Sequence, residues 1–153
     1  MQKRYLTESC LAEEIRLGVG LIIYKKNKII LEQRSDCNNW GLVGGRVEIG
    51  ENIKDAAIRE CFEETSIKLN YKKLIYFGIY SDIYHQRIIK YPDSCFHAID
   101  IIYTYRIDGD VTIKKSNESL DIKFFNQHIL PENIVPPAQY PINDFIRLNS
   151  KIN

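Results

Sequence analysis

The segment from Gly44 to Ile67 constrains this chain more than any other. A glycine-rich turn at Gly44-Gly45 leads toward a helix that carries Glu60, Glu63 and Glu64. A helix advances ~100° per residue, so this spacing puts all three carboxylates on one face. Ala57, Ile58, Cys61, Phe62 and Thr65 fall on the arc expected to face the core. Ala56 is the small residue among the acids. Like charges on one face repel each other and destabilise the helix. A hard divalent cation would relieve that repulsion, and oxygen ligands suit magnesium or manganese. The plain alternative is a solvated acidic face, although such faces usually alternate in sign.

The spacing around the acids carries more information. Gly45, five residues, Glu51, seven residues, then Arg59-Glu60-Cys61-Phe62-Glu63-Glu64-Thr65-Ser66-Ile67 resembles the Nudix box, G-x5-E-x7-R-E-U-x-E-E-x-G-U. Every charged position matches, and Ser66 stands where the family has glycine. Trp40-Gly41-Leu42-Val43-Gly44-Gly45 is similar to the family's W-x-L-P-G-G lead-in, with Val43 in place of proline.

Composition sets limits on the rest. A chain of 153 residues suits one domain with a real core, here taken as residues 1–153 with 1–16 as an N-terminal arm or short helix. Hydrophobic content of 44% and charged content of 27% are ordinary for a globular protein. A net charge of +1 makes no electrostatic case for nucleic acid or a membrane surface. No apolar run approaches membrane-span length, and the N-terminus lacks a signal-peptide stretch, so a cytoplasmic location is expected. Cys10, Cys37, Cys61 and Cys95 show no C-x-x-C pairing and are expected to be free thiols. His85, His97 and His128 are scattered without ligand spacing, which argues against zinc.

Taken in order, Gly18–Tyr24 and Ile29–Gln33 read as paired strands. The hairpin turn between them has Asn27 to tolerate a positive φ. Arg34 after the second strand suits a substrate phosphate or a surface ion pair. Asn52 is a good N-cap, and Glu51 sits where the helix macrodipole favours a carboxylate. Residues 73–83 and 96–107 read as strands, with 84–95 as a loop between them. Ile99, Ile101, Tyr103, Tyr105 and Ile107 share one face of the second, and Asp100 lies on the other with Phe96, Ala98 and Ile102. A short strand at Val111–Ile113 and a last strand at Ser119–Asn126 follow. Pro141 suits the first turn of a C-terminal helix. Strands before and after a central helix give an α+β sandwich. The Nudix resemblance makes this an α/β/α sandwich with a mixed sheet and the box helix beside the active cleft.

What the resemblance implies is hydrolysis of the pyrophosphate bond in a nucleoside diphosphate linked to another group X, such as ADP-ribose or a nucleotide sugar. It implies Mg2+ or Mn2+ held by Glu60 and Glu64, with Glu63 and the Gly44 carbonyl as further ligands. Glu63 is the candidate general base, Arg59 orients the carboxylates, and an Arg59–Glu51 ion pair fixes the loop on the helix. Asn117-Glu118-Ser119 resembles a stretch from which a glutamate reaches the metal in many Nudix proteins, so Glu118 is either a further ligand or a solvated loop residue. Tyr80, Tyr84, Tyr91 and Phe96 are candidates to stack a base, or else sheet packing. The expected partner is a small-molecule nucleotide rather than nucleic acid or membrane, and a homodimer is compatible with the resemblance. The alternatives are a nucleoside triphosphate or capped RNA as substrate, and a nucleotide-binding module without turnover.

Overall fold

The protein is seen here as a computed structural model, which describes residues 3–151. Nine strands, β1 (Arg4–Leu6), β2 (Glu14–Lys25), β3 (Lys28–Arg34), β4 (Trp40–Gly41), β5 (Val43–Arg46), β6 (Ile75–Tyr80), β7 (Ile88–Lys90), β8 (Cys95–Arg106) and β9 (Ser119–Asn126), form one mixed sheet. Helix α1 (Ile53–Thr65) covers one face and α2 (Pro136–Asn149) the other. This is the α+β sandwich that the strand and helix pattern predicts.

The sheet is built around β2 and β8, which run parallel from Glu14↔Phe96 to Tyr24↔Arg106. Every other pairing between these nine strands is antiparallel, and each long strand forks. The free edge of β2 is taken by β5 over Gly18–Leu21 and then by β3. That of β8 is taken by β7 at its start and by β6 further on. Alternation along β2 sends Val19, Leu21 and Ile23 to the core under α1, and Ile22 to the core under α2. Tyr103, Tyr105 and Ile107 join the α1 side and Ile102 the α2 side, as the period of that strand predicts.

Several expectations are corrected. Residues 1–16 are expected as an arm or short helix, but Arg4–Leu6 pairs with β7 and Glu14 already opens β2. Met1 and Gln2 lie outside the described residues. The expected loop 84–95 contains β7, a strand of three residues whose Ile88 and Ile89 are buried. Val111–Ile113 forms no strand and packs against the α1 core as irregular chain. The positive φ of the first hairpin falls on Lys26 (53°), not Asn27. A register shift between Tyr76 and Gly78 breaks the alternation of β6, so Phe77 and Tyr80 both pack toward α2. Gly44 and Gly45 lie in β5 rather than in a free turn.

The C-terminal helix begins at Pro136, so Pro141 sits inside it. A proline there leaves the carbonyl four residues back without its helical donor. That carbonyl belongs to Pro137, and it accepts a hydrogen bond from Arg87 Nη2 at 2.8 Å.

Helix α1 starts at Asn52, whose side chain accepts from the Lys54 amide at 2.9 Å. It ends where Ser66 turns left-handed (φ 61°, ψ 13°), and the Ser66 amide closes the last turn on the Phe62 carbonyl. A side chain in that conformation costs on the order of 1 kcal/mol relative to glycine. Ser66→Gly is expected to stabilise the protein by up to about 1 kcal/mol, raising Tm by roughly 2–4 °C in a thermal melt.

Candidate active site

The three glutamates of α1 share a turn but occupy three different environments. Ala56, Ala57, Cys61 and Thr65 are fully buried, so the core-facing arc is centred on Glu64 itself. Phe62, expected in the core, is 46% exposed, with Lys68 Nζ over its ring at 5.9 Å. Glu64 is therefore driven inward and is only 8% exposed. Its Oε2 accepts from the Gly44 amide at 2.9 Å. Burial, and next the charge of Glu32, push its carboxyl up to about 9.

Glu60 is half-buried at the edge of this arc, and burial raises its carboxyl as well. Its carboxylate lies against Gly45, where any Cβ would come within 2.5 Å of its carbon and one oxygen. Gly44 has a φ of 149°, and a Cβ there would overlap the Val19 carbonyl. The two glycines let β5 run between β2 and the acids of α1 without a gap.

Glu63 faces solvent, 56% exposed. It is tied back by Arg59, which reaches all of its neighbours. Arg59 Nε and Nη2 grip Glu51 at 2.7 and 3.0 Å. Nη1 donates to Glu60 at 2.8 Å and Glu63 at 3.1 Å, and Nη2 also donates to the Arg46 carbonyl at 3.0 Å. The Arg59 hydrogen bond holds the Glu51 carboxyl down to about 2. The predicted Arg59–Glu51 pair is thus present, and the same guanidinium offsets two of the three box acids.

Sequence reasoning overlooked Glu32. It lies on β3 in the inward phase of Ile30, on the side of the sheet that α1 covers. It is 3% exposed; Ser119 Oγ donates to its Oε1, while Oε2 is buried without a partner. A charged residue in the buried phase of an apolar strand was the available signal. Glu118, next to Ser119, has an exposed side chain with no hydrogen bond or ion pair to a described residue.

An orphaned carboxylate oxygen beside an all-oxygen set fits a hard divalent cation. Among the described residues, no three His, Cys, Asp or Glu side chains are gathered to hold an ion as they stand. Glu60 is turned to Arg59 and Glu64 to the Gly44 amide, so these contacts must be exchanged on binding.

On the opposite side of β5 a cleft of about 240 Å³ opens along the sheet beyond the end of α2. Gly18, Gly20, Gly44 and Gly45 line it. Of the aromatic candidates, Tyr91 and Phe96 line it as a stacked pair 6.1 Å apart, joined by Tyr5. Tyr80 instead donates to Asp144 on α2 at 2.8 Å, and Tyr84 is exposed on a 3-10 turn away from the cleft. Lys3, Arg16, Arg34 and Arg46 also line the cleft. Asp36 binds both Lys3 (2.9 Å) and Arg34 (3.1 Å), so Arg34 is at once paired and in the cleft. Arg46 is exposed and has no ion pair with a described residue.

Residues 14–145 match the family model of the NUDIX domain. The chain belongs to the Nudix family. Retaining every charged position of the box, it is a Nudix pyrophosphohydrolase. It is 31% identical over 137 residues to an ADP-ribose pyrophosphatase of Methanocaldococcus jannaschii, covering 86% of this chain and 74% of that one. A Bacillus subtilis relative with the provisional name 8-oxo-dGTP diphosphatase is 28% identical, covering 82% and 75%. The fold matches a solved MutT Nudix hydrolase from Burkholderia pseudomallei with a TM-score of 0.70 at 20% identity, covering 86% of this chain and 98% of that one.

The raised carboxyl of Glu64 fixes a pH effect. A group whose carboxyl is raised on folding adds stability below its unfolded value, and loses it as pH rises through the folded one. In excess chelator, Glu64→Gln and the wild type are expected to melt within a degree or two of each other near pH 5. Their difference should then grow in favour of the variant up to about pH 9, by no more than about 1.4 kcal/mol per pH unit. Melts that stay parallel across that range would show that Glu64 ionises freely.

Proposed function

We propose that the chain acts as a single catalytic unit that hydrolyses the pyrophosphate bond of a nucleoside diphosphate linked to another group X, such as ADP-ribose or a nucleotide sugar. The observation that carries this is the position of β5: a cationic, aromatic-walled cleft lies on one side of Gly44-Gly45 and the box carboxylates on the other. A nucleotide in the cleft would bring its phosphates to the acids across two glycines.

Each part of the site then has a task. Tyr91 and Phe96 would stack a base once Arg16, which lies over the Phe96 ring at 4.1 Å, and Lys3, over the Tyr91 ring at 5.1 Å, move aside, and Arg46 and Arg34 would hold phosphate oxygens. Glu60 and Glu64 would hold the divalent cation, Mg2+ or Mn2+, with Glu63, the Gly44 carbonyl and Glu118 as further oxygen donors. Glu32 adds a carboxylate directly behind Glu64. The bound ion supplies charge neutralisation at phosphorus and a lowered pKa for water. Glu63, exposed at the rim, would take the proton of the attacking water. Water adds to one phosphorus, the P–O–P bridge breaks, and a nucleoside monophosphate and phosphoryl-X leave. Arg59 would hold Glu63 beside the site and give up its bond to Glu60 when the ion binds.

A second reading, a nucleoside triphosphate substrate, is supported by the Bacillus subtilis relative's name. A panel separates the two. Nucleotide sugars, ADP-ribose, dinucleoside polyphosphates and nucleoside triphosphates are incubated with Mg2+ or Mn2+ and the products identified. Turnover should vanish in excess chelator and return with the metal; full turnover without metal would sink the proposal.

Glu60→Gln and Glu64→Gln are each expected to lower kcat by at least about a hundredfold, a loss of ~2.7 kcal/mol in transition-state stabilisation, with the fold intact by circular dichroism. Each should also weaken Mn2+ binding by calorimetry. Near wild-type turnover in both would place the metal elsewhere.

A further inference from the structure

The sheet has two long edge strands, β9 and β6, and they are finished differently. Among the described residues β9 pairs only with β3, and it carries an ion pair, Asp121 with Lys123 at 3.1 Å. β6 pairs only with β8, so its other side faces no strand among the described residues. Its six residues, Ile75–Tyr80, include no charge and no proline. Ile75, Tyr76 and Ile79 are 64%, 57% and 58% exposed. Such an edge offers unpaired N–H and C=O groups to another strand, and charge of the kind β9 carries is what normally blunts it.

The order of faces along β6 decides what strand fits there. Tyr76 and Ile79 lie opposite Tyr103 and Ile101, on the α1 side of the sheet. Ile75, Gly78 and Tyr80 lie opposite Thr104, Ile102 and Asp100, on the α2 side. Phe77, the extra residue at the register shift, also turns toward α2, with its ring 6.1 Å from that of Phe145. From Ile75 to Tyr80 the faces therefore run α2, α1, α2, α2, α1, α2, the same from either end. A strictly alternating strand of six residues would show opposite faces when reversed. The bulge removes that mismatch. Two copies of β6, antiparallel about a two-fold axis between Phe77 and Gly78, thus meet face for face at all six positions. Tyr76 falls opposite Ile79 of the second copy, and Ile75 opposite its Tyr80.

Charge agrees with this register. Lys72 and Lys73 precede the strand and Asp82 follows it, so each cationic end meets the acidic end of the other copy, Lys73 opposite Asp82. Lys73 is half-exposed, and its bond to Asp108 leaves ammonium donors for a second acceptor. We propose that β6 is the dimer edge of this protein, where a second copy of the chain adds its own β6 and the two sheets become continuous. The same patch then serves on both copies, the isologous contact of a two-fold dimer. Six residues a side is a small interface, so a micromolar rather than nanomolar dissociation constant is expected.

The test is sedimentation velocity of the full chain at rising concentration, up to about 100 µM, which should show a reversible monomer–dimer equilibrium. Ile79→Lys sets a charge against Tyr76 of the second copy and should raise the dissociation constant by at least about tenfold, with thermal melts showing that the variant folds. Tyr76→Lys takes its place if that chain does not fold. The register has its own test. Chains with Tyr76→Cys and chains with Ile79→Cys are oxidised mildly, separately and mixed, over the wild-type background. The mixture should crosslink and neither variant alone should, because position 76 faces position 79 and not itself. A monomer at every concentration, a dimer that the lysine variant leaves unchanged, or a mixture that crosslinks no faster than either variant alone overturns the proposal.

Discussion

The bidentate grip of Arg59 on Glu51 holds the site together. A carboxylate beyond the helix N-terminus and a guanidinium two turns along it are locked by two short charge-assisted bonds. The remaining donors of the same group are then fixed in space, and they fall on Glu60, Glu63 and the Arg46 carbonyl. The connection from β5 into α1 is thereby tied to the helix it precedes. Without that cation, three acids on one turn would repel; with it, only Glu64 is left outside the ionic network. Glu64 is accommodated differently, by burial and by the Gly44 amide.

β5 is the second constraint. It is four residues long, and two of them are glycines pressed between β2 and α1. Only backbone therefore separates the cleft from the box carboxylates. Larger residues there would push Glu60 aside or break the pairing with Val19 and Gly20.

Much of this was legible in the sequence. The box spacing located α1 and its Asn52 cap, and the family resemblance implied the Arg59–Glu51 pair, because each depends on residues close along the chain. The faces of β8 followed from strict alternation, and the bounds of β9 from its run of Ile122, Phe124 and Phe125. What was not legible depends on distant partners. Three-residue strands such as β1 and β7 carry too few residues to show a period, and exist because they pair with each other and with β8. Pro141 reads as a helix start, since nothing local reveals that Arg87 satisfies the carbonyl it releases. The helical wheel placed Phe62 inside and gave Glu64 no special depth. The true inward direction was set by the sheet, against Ala56 and Ala57. Glu32 was passed over because its partner Ser119 lies on another strand.

The parallel pairing of β2 with β8 also sets the order in which the molecule can assemble. Its partners, from Glu14↔Phe96 to Tyr24↔Arg106, lie about eighty residues apart along the chain, so closing that loop precedes any reward from the contacts. The β2–β3 hairpin and α1 are local and can form early. Until β8 docks, the glycine-rich half of β2 has one bare edge and the cleft has no floor. The cleft is therefore completed only when that long loop has closed.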